Sequence, residues 1–239
     1  MKSINITLII LATLVLSSCN INLNNGEKGN GNVITQERNL TDNFTAIKGS
    51  AGLDVYLVQG DKNKLVVEAD ENIQQYISTE IKNNKLHITT SSNIGWAKAK
   101  KVYVTFKELN TIEASSGADV IGNSVIKSQN LSLRSSSGAD LEVEVFSQDL
   151  IVKSSSGSEV KVSGKSSSLK ADASSGSEID AEELLVVNCY AEASSGAEVN
   201  VNVKNKLDTH VSSGGHIKYY GNPVSVNSNK SYSGSVEKM

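Results

Sequence analysis

Cysteine is scarce in this chain, which has only Cys19 and Cys189. A disulfide framework is therefore excluded, and stability has to come from apolar burial and backbone hydrogen bonding. Aromatic residues make up 5% of the chain and Trp96 is the single tryptophan, so a binding site of stacked aromatic platforms would be thin. Positive charge is not in excess either: 23 Lys and Arg face 26 Asp and Glu, for a net charge of −3. Without a basic run or patch, nucleic acid is not expected as a partner. Beyond residue 16 no long apolar run recurs, so no membrane-spanning helix is expected.

The N-terminus reads MKSINITLIILATLVLSSCN. Lys2 supplies a short positive region, Ile4 to Leu16 is almost unbroken apolar sequence, and small residues lead to Cys19. These are the flanks and length of a secretory signal over residues 1–18. Leu16-Ser17-Ser18-Cys19 resembles the lipobox of bacterial lipoproteins, which implies cleavage before Cys19 and acylation of that cysteine. Several acyl chains, each contributing about 0.8 kcal/mol per buried methylene, would anchor the protein to a membrane durably. Residues 21–32, INLNNGEKGNGN, are rich in Asn and Gly, and the stretch 19–32 is expected to be the lipidated cysteine and a flexible tether.

The rest is dominated by a repeat. SSGAD occurs at 115–119 and 136–140, SSGSE at 155–159 and 174–178, SSGAE at 194–198 and SSGGH at 212–216. The six glycines are Gly117, Gly138, Gly157, Gly176, Gly196 and Gly214, at intervals of 21, 19, 19, 20 and 18 residues, with Gly234 a degenerate successor. Aligned on the glycine, apolar or small residues recur seven, five and three positions before it and three and five after it. The middle copy shows the pattern: Leu150, Val152, Ser154, Gly157, Val160 and Val162. Period two is the signature of strands with one buried face. Each copy thus holds two strands joined at a Ser-Ser-Gly corner, where glycine tolerates the angles of a sharp bend. Such a unit buries its apolar face only by stacking on neighbours, which predicts an all-β solenoid, a β-helix of roughly 20-residue rungs over residues 111–239. A β-sandwich would alternate in the same way but would not align six corners.

Residues 33–110 contain strands without this rhythm. IKGSAGLDVYL (47–57) fits the repeat register as an early rung around Gly52, and about 45 extra residues separate it from the next. They read as hairpins, YLVQ with KLVVEA around Gly60–Asn63 and STEIK with KLHITT around Asn83-Asn84, with a helical turn at ENIQQY (71–76). KKVYVTF (100–106) returns the chain to the array, and the insert is expected to cap one end of the solenoid.

FTAIKGSAGLDVYLVQGDKNKLVVEADENI, then KNNKLHITT, then the SSGAD-type repeats resemble, over about residues 40–220, the auto-transporter adhesin head GIN domain of Bacteroidota lipoproteins. The resemblance implies a right-handed β-helical envelope domain with an adhesin-like role, and brings no catalytic residues with it.

The sharpest chemical feature is an acid two residues after each glycine: Asp54, Asp119, Asp140, Glu159, Glu178 and Glu198, with His216 closing the series. Stacking would align Asp119, Asp140, Glu159, Glu178 and Glu198 into a carboxylate stripe. The stripe would either dock a cationic or calcium-bridged glycan or protein, or act as a solvated edge that discourages strand pairing. Calcium requires six to eight oxygens, more than one carboxylate per rung supplies. The Ser-Ser pairs are expected to form hydroxyl ladders. Cys189 falls in a column of leucines and reads as a core residue. The histidines, His87, His210 and His216, do not recur with the serines, so neither a catalytic triad nor a firm metal site is expected. The protein therefore reads as a non-enzymatic, adhesin-like lipoprotein of the outer membrane, with a periplasmic scaffold as the alternative. A polysaccharide-active β-helix enzyme, its cleft near Asn93–Lys101 and Trp96, is the remote one.

Overall fold

The computed structural model describes residues 26–40, 42–230 and 233–239. The expected signal peptide (1–18), Cys19 and residues 20–25 lie outside the described residues. Seventeen strands follow in chain order. The first seven are β1 (Val33–Arg38), β2 (Ala46–Gly49), β3 (Asp54–Gln59), β4 (Lys64–Asp70), β5 (Ile77–Lys82), β6 (Lys85–Thr90) and β7 (Lys100–Phe106). Next come β8 (Thr111–Ser115), β9 (Asp119–Gly122), β10 (Ile126–Ser136), β11 (Asp140–Ser155) and β12 (Glu159–Ser174). The chain closes with β13 (Glu178–Ala193), β14 (Glu198–Val211), β15 (His216–Tyr220), β16 (Ser225–Lys230) and β17 (Ser235–Lys238). No helix among the described residues is long and apolar enough to cross a membrane.

The repeat builds a β-solenoid, as its period predicts. Leu141 pairs in parallel with Val160, Val160 with Ile179, Ile179 with Val199 and Val199 with Ile217, so equivalent positions stack rung upon rung. Each of the long strands β11 to β14 turns between two faces of the coil. Residues following a glycine build one sheet and residues preceding the next glycine build the other. The columns read from sequence as inward are inward. Leu131, Leu150, Leu169, Cys189 and Leu207 are buried, as are Val120, Leu141, Val160, Ile179, Val199 and Ile217. Side chains from the two sheets meet across a narrow core, where each fully buried aliphatic contributes roughly 1.5–3 kcal/mol. Burial pushes the Cys189 thiol well above its ordinary range, in keeping with a core role.

The corners are tighter than glycine alone suggests. In each, the residue before the glycine is also left-handed: Ser116 (φ 53°), Ser137 (59°), Ser156 (57°), Ser175 (57°), Ser195 (53°), Ser213 (49°), and Ala51 (61°) beside Gly52. Two successive positive φ values make a type I′ turn, closed where Ala118 N–H donates to Ser115 C=O (3.3 Å) and Ala197 N–H to Ser194 C=O (3.1 Å). The expected hydroxyl ladder is a backbone ladder instead. Gly138 N–H donates to Ser156 C=O, Gly157 to Ser175 and Gly176 to Ser195, at 3.0–3.2 Å. The left-handed serine turns its carbonyl along the axis, so the peptide group supplies the ladder and the corner hydroxyls are left to solvent. Hydroxyl contacts form one step inward, where Ser154 Oγ and Ser158 Oγ lie 2.9 Å apart. Gly234 does not adopt a left-handed φ, although β16 and β17 on either side of it stack on β14 and β15.

The N-terminal segment departs from the expected hairpins in one respect. β5 and β6 pair antiparallel across Asn83 and Asn84, both left-handed, as the turn chemistry predicts. By contrast β3 and β4 are not hydrogen-bonded partners, because β7 lies between them, parallel to β3 and antiparallel to β4. β6 and β7 thus form an extra rung stacked outside β2 and β3, although they come later in the chain. β1, β4 and β5 then cover that end with antiparallel pairing, which completes the expected cap. The helical turn appears as a short 3₁₀ segment, Gln74–Tyr76.

Residues 26–32, expected to belong to a free tether, are strapped onto this cap. Glu27 N–H donates to Asn93 C=O (2.8 Å), Gly95 N–H to Glu27 C=O (2.9 Å) and Gly29 N–H to Trp96 C=O (2.7 Å). Backbone groups that loop composition leaves free to solvent are here satisfied by the 93–97 segment. That segment was the candidate cleft, and the strap occupies its backbone.

Candidate functional site

The acidic residues stand where the repeat places them, on the outer surface of the sheet that follows the corners. Asp54 pairs with Asp119, Asp119 with Asp140, Asp140 with Glu159, Glu159 with Glu178, Glu178 with Glu198 and Glu198 with His216. Adjacent rungs lie about 4.8 Å apart, so the six carboxylates form one unbroken ladder. Beside it runs the exposed ridge of Ser-Gly corners, where a Cβ on Gly117, Gly138, Gly157, Gly176 or Gly196 would meet nothing within 4 Å. Glycine is required there by φ, and the ridge is bare to solvent.

The ladder is not electrostatically uniform. Glu198 is held by Lys218 (2.7 Å) and accepts a bond from Asn200 (3.2 Å), and the Lys218 bond draws its carboxyl below the usual range. His216 Nδ1 meets Ser235 Oγ at 2.8 Å. At Asp119 partial burial raises the carboxyl pKa, reinforced by Asp54 and Asp140 and opposed by Lys100. Partial burial likewise raises Glu178, reinforced by Glu198, Glu159 and Asp180 and opposed by Lys218. Among the described residues no Lys or Arg lies within ion-pair distance of Asp119, Asp140 or Glu159. The middle of the ladder is an open anionic strip with a neutralised lower end.

These shifts have opposite consequences for stability. A carboxyl whose pKa is raised by folding takes up its proton more readily in the folded state, so Asp119 and Glu178 stabilise the fold as pH falls through their raised values. The depressed Glu198 contributes stability at neutral pH that is lost only as pH falls through its lower folded value. The melting temperature should therefore rise as pH drops from neutral towards the upper carboxylate range, and decline under stronger acid. In Glu178→Gln the rise should be smaller. Thermal melts across that range check this, and an unchanged rise in the variant would remove Glu178 as a source of it.

Among the described residues, no three His, Cys, Asp or Glu converge on a point that a metal ion could occupy. The carboxylates run in file, one per rung, so the ladder is not a preformed calcium cage. The three histidines do not assemble. His87 and His210 lie on the opposite sheet from His216, in registers beside Lys48 and Glu192. Trp96, 62% exposed, projects from the segment that holds the strap.

One surface was missed in sequence. At the corner opposite the Ser-Gly turns, Phe146 is 59% exposed, Leu185 55% and Val187 41%, beside a groove of about 540 Å³. The signal for it was the apolar run Leu184-Leu185-Val186-Val187, whose alternate members must face outward in a strand of period two.

Several solved structures share this fold. A putative adhesin from Bacteroides fragilis superposes with a TM-score of 0.83 at 22% identity, over 89% of this chain and 100% of that one. A putative lipid binding protein from Parabacteroides distasonis follows at 0.71 and 21%, over 89% and 99%. A putative adhesin from Parabacteroides merdae gives 0.66 and 23%, over 89% and 98%. No curated protein matches the chain. Residues 43–223, from just before the first rung to just past β15, match the family model described as putative auto-transporter adhesin, head GIN domain, and the chain belongs to that family.

Proposed function

We propose that the protein is a non-enzymatic, adhesin-like module of the cell envelope, acylated at Cys19, whose acidic ladder and Ser-Gly ridge bind a cationic or calcium-bridged glycan or protein. The observation that carries this reading is the run Asp119, Asp140 and Glu159: three carboxylates in register, with no ion-pair partner among the described residues, on a rigid parallel sheet. A stack of rungs presents charges at fixed intervals of about 4.8 Å, so a repetitive ligand can engage several at once without ordering the protein further. Such recognition is strong in sum though each exposed pair is weak.

A periplasmic scaffold with the same fold is the second reading, and the strap fits it because a short tether suits a module held against a membrane. Gly26, where the described strap begins, lies seven positions after Cys19, a reach of at most ~25 Å. An acylated Cys19 would then keep the capped end of the solenoid close to the membrane.

Two measurements test the proposal. Binding of deca-lysine to the purified protein should weaken by about tenfold or more in the triple variant Asp140→Asn, Glu159→Gln, Glu178→Gln, and should fade with added salt. Equal binding by the variant would sink the ladder as the site. Protease treatment of intact cells carrying a tagged copy should digest the solenoid if it is displayed. Protection until the outer membrane is opened would remove surface adhesion and leave the scaffold reading.

A further inference from the structure

The corner opposite the Ser-Gly turns differs in chemistry from the rest of the molecule. Register places Lys127 beside Phe146, Phe146 beside Lys165 and Lys165 beside Leu185, so cationic and apolar side chains alternate along the axis at this edge. In β13 the register slips between Ala181 and Leu185 and again between Val186 and Asn188. The first slip puts extra residues in β13 and the second puts one in β14, so on balance the corner of β13 is longer than its neighbours, and Leu185 and Val187 stand out from it. The groove beside them, about 540 Å³, has Phe146, Leu185 and Val187 on its walls and Lys165 and Lys204 as its only charged groups. An adjoining groove over Phe146 has Lys127 as its only charge. No carboxylate lines either groove, in a chain whose net charge is −3. None of the three ammonium groups has a carboxylate within ion-pair distance among the described residues.

Exposed apolar side chains grouped beside a concavity mark a binding surface, and a volume of several hundred cubic ångströms suits one small amphiphile rather than a flat partner. The unpaired lysines define the sign of the head group. We propose that this corner binds a single anionic amphiphile. Its acyl chain lies along Phe146, Leu185 and Val187, and its anionic head sits between Lys165 and Lys204, with Lys127 two rungs from Lys165 on the far side of Phe146. The site is separate from the carboxylate ladder, and the two carry opposite charge.

The test uses the full chain carrying Cys19→Ser, so that no acyl group of its own competes, with monomeric dodecanoate as probe in calorimetric titration. Saturable binding of one dodecanoate per chain is expected, with hexanoate and dodecyltrimethylammonium each bound at least about tenfold more weakly. Phe146→Ser and Leu185→Ser should each weaken dodecanoate by about tenfold. The Lys165→Gln, Lys204→Gln pair should weaken dodecanoate while leaving dodecanol unaffected. These side chains are exposed, so unchanged melting temperatures will show that the variants fold. Absent dodecanoate binding, equal binding of the cationic amphiphile, or unchanged binding by the variants would overturn the proposal. So would cosedimentation with anionic vesicles without monomer binding, which would mean a membrane contact. Self-association abolished by Leu185→Ser in a protein that ignores dodecanoate would mean that a second copy covers the corner, and would overturn it too.

Discussion

Asp70→Asn is expected to lower the unfolding free energy by about 3 kcal/mol or more, and to release the strap before the solenoid melts. Asp70 ends β4 and is fully buried. Its Oδ2 accepts Gly31 N–H at 2.8 Å, and its Oδ1 accepts Lys98 N–H and Ala99 N–H at 3.0 Å each. One carboxylate thus ties the strap, the edge of the cap and the entry to β7 together. An amide of the same shape presents two donors where three N–H groups already point, so at least one backbone donor is left facing another. Hydrogen bonds to a charged acceptor are worth about 1.5–3 kcal/mol each, and a buried donor without a partner adds a desolvation cost. Urea denaturation measures the loss, and limited proteolysis should locate the first cut within residues 26–32. A loss below about 1 kcal/mol would mean that the strap is held by its backbone bonds alone.

Gly164→Ala should be far more damaging than Gly157→Ala, although Gly164 belongs to no motif. Its φ is +105°, and a Cβ there would lie 2.1 Å from the Val145 carbonyl oxygen and 3.1 Å from the Val145 nitrogen and carbonyl carbon. Gly164 pairs with Val145 on one side and Leu184 on the other, so the obstructing atoms belong to the parallel ladder and cannot rotate away. A loss of about 3 kcal/mol or more is expected, or failure to fold. The corner glycine Gly157 offers the contrast, with φ +67° and nothing within 4 Å of its missing Cβ. Gly157→Ala meets only the left-handed penalty, about 1–2 kcal/mol. Chemical denaturation of the two variants side by side decides the matter, and a costlier Gly157→Ala would refute the ranking.

That ranking shows where sequence pattern and structural necessity part. Repetition drew attention to the Ser-Ser-Gly corners, yet their glycines serve one backbone angle each in open space. Gly164, left-handed and pressed against the backbone of Val145, occurs once and lies between Ser163 and Lys165 with no repeat to mark it. The serines show a similar split. Their recurrence was plain, but their left-handed backbone was not, because serine rarely adopts it without a turn that demands two positive φ values in succession. The acidic column was fully legible, since position two after each glycine is outward in every rung. Its uneven electrostatics were not, because Lys218 and Asn200 reach Glu198 from neighbouring columns.

A period of about twenty residues, with alternation inside it, was sufficient for the solenoid, the inward columns, Cys189 in the core and the carboxylate ladder. Each follows from local rules, strand alternation and turn chemistry, repeated until stacking is the only way to bury the apolar face. Three features depended on the assembled chain: β7 inserted between β3 and β4, the strap fastened by Asp70, and the lysine-rimmed apolar corner at Phe146 and Leu185. β3 and β4 carry hairpin sequence signals, but β7 pairs with both and extends the stack by one more buried rung. Pairing between segments some forty residues apart is decided by which arrangement buries more surface and satisfies more backbone groups, a comparison that no local window contains.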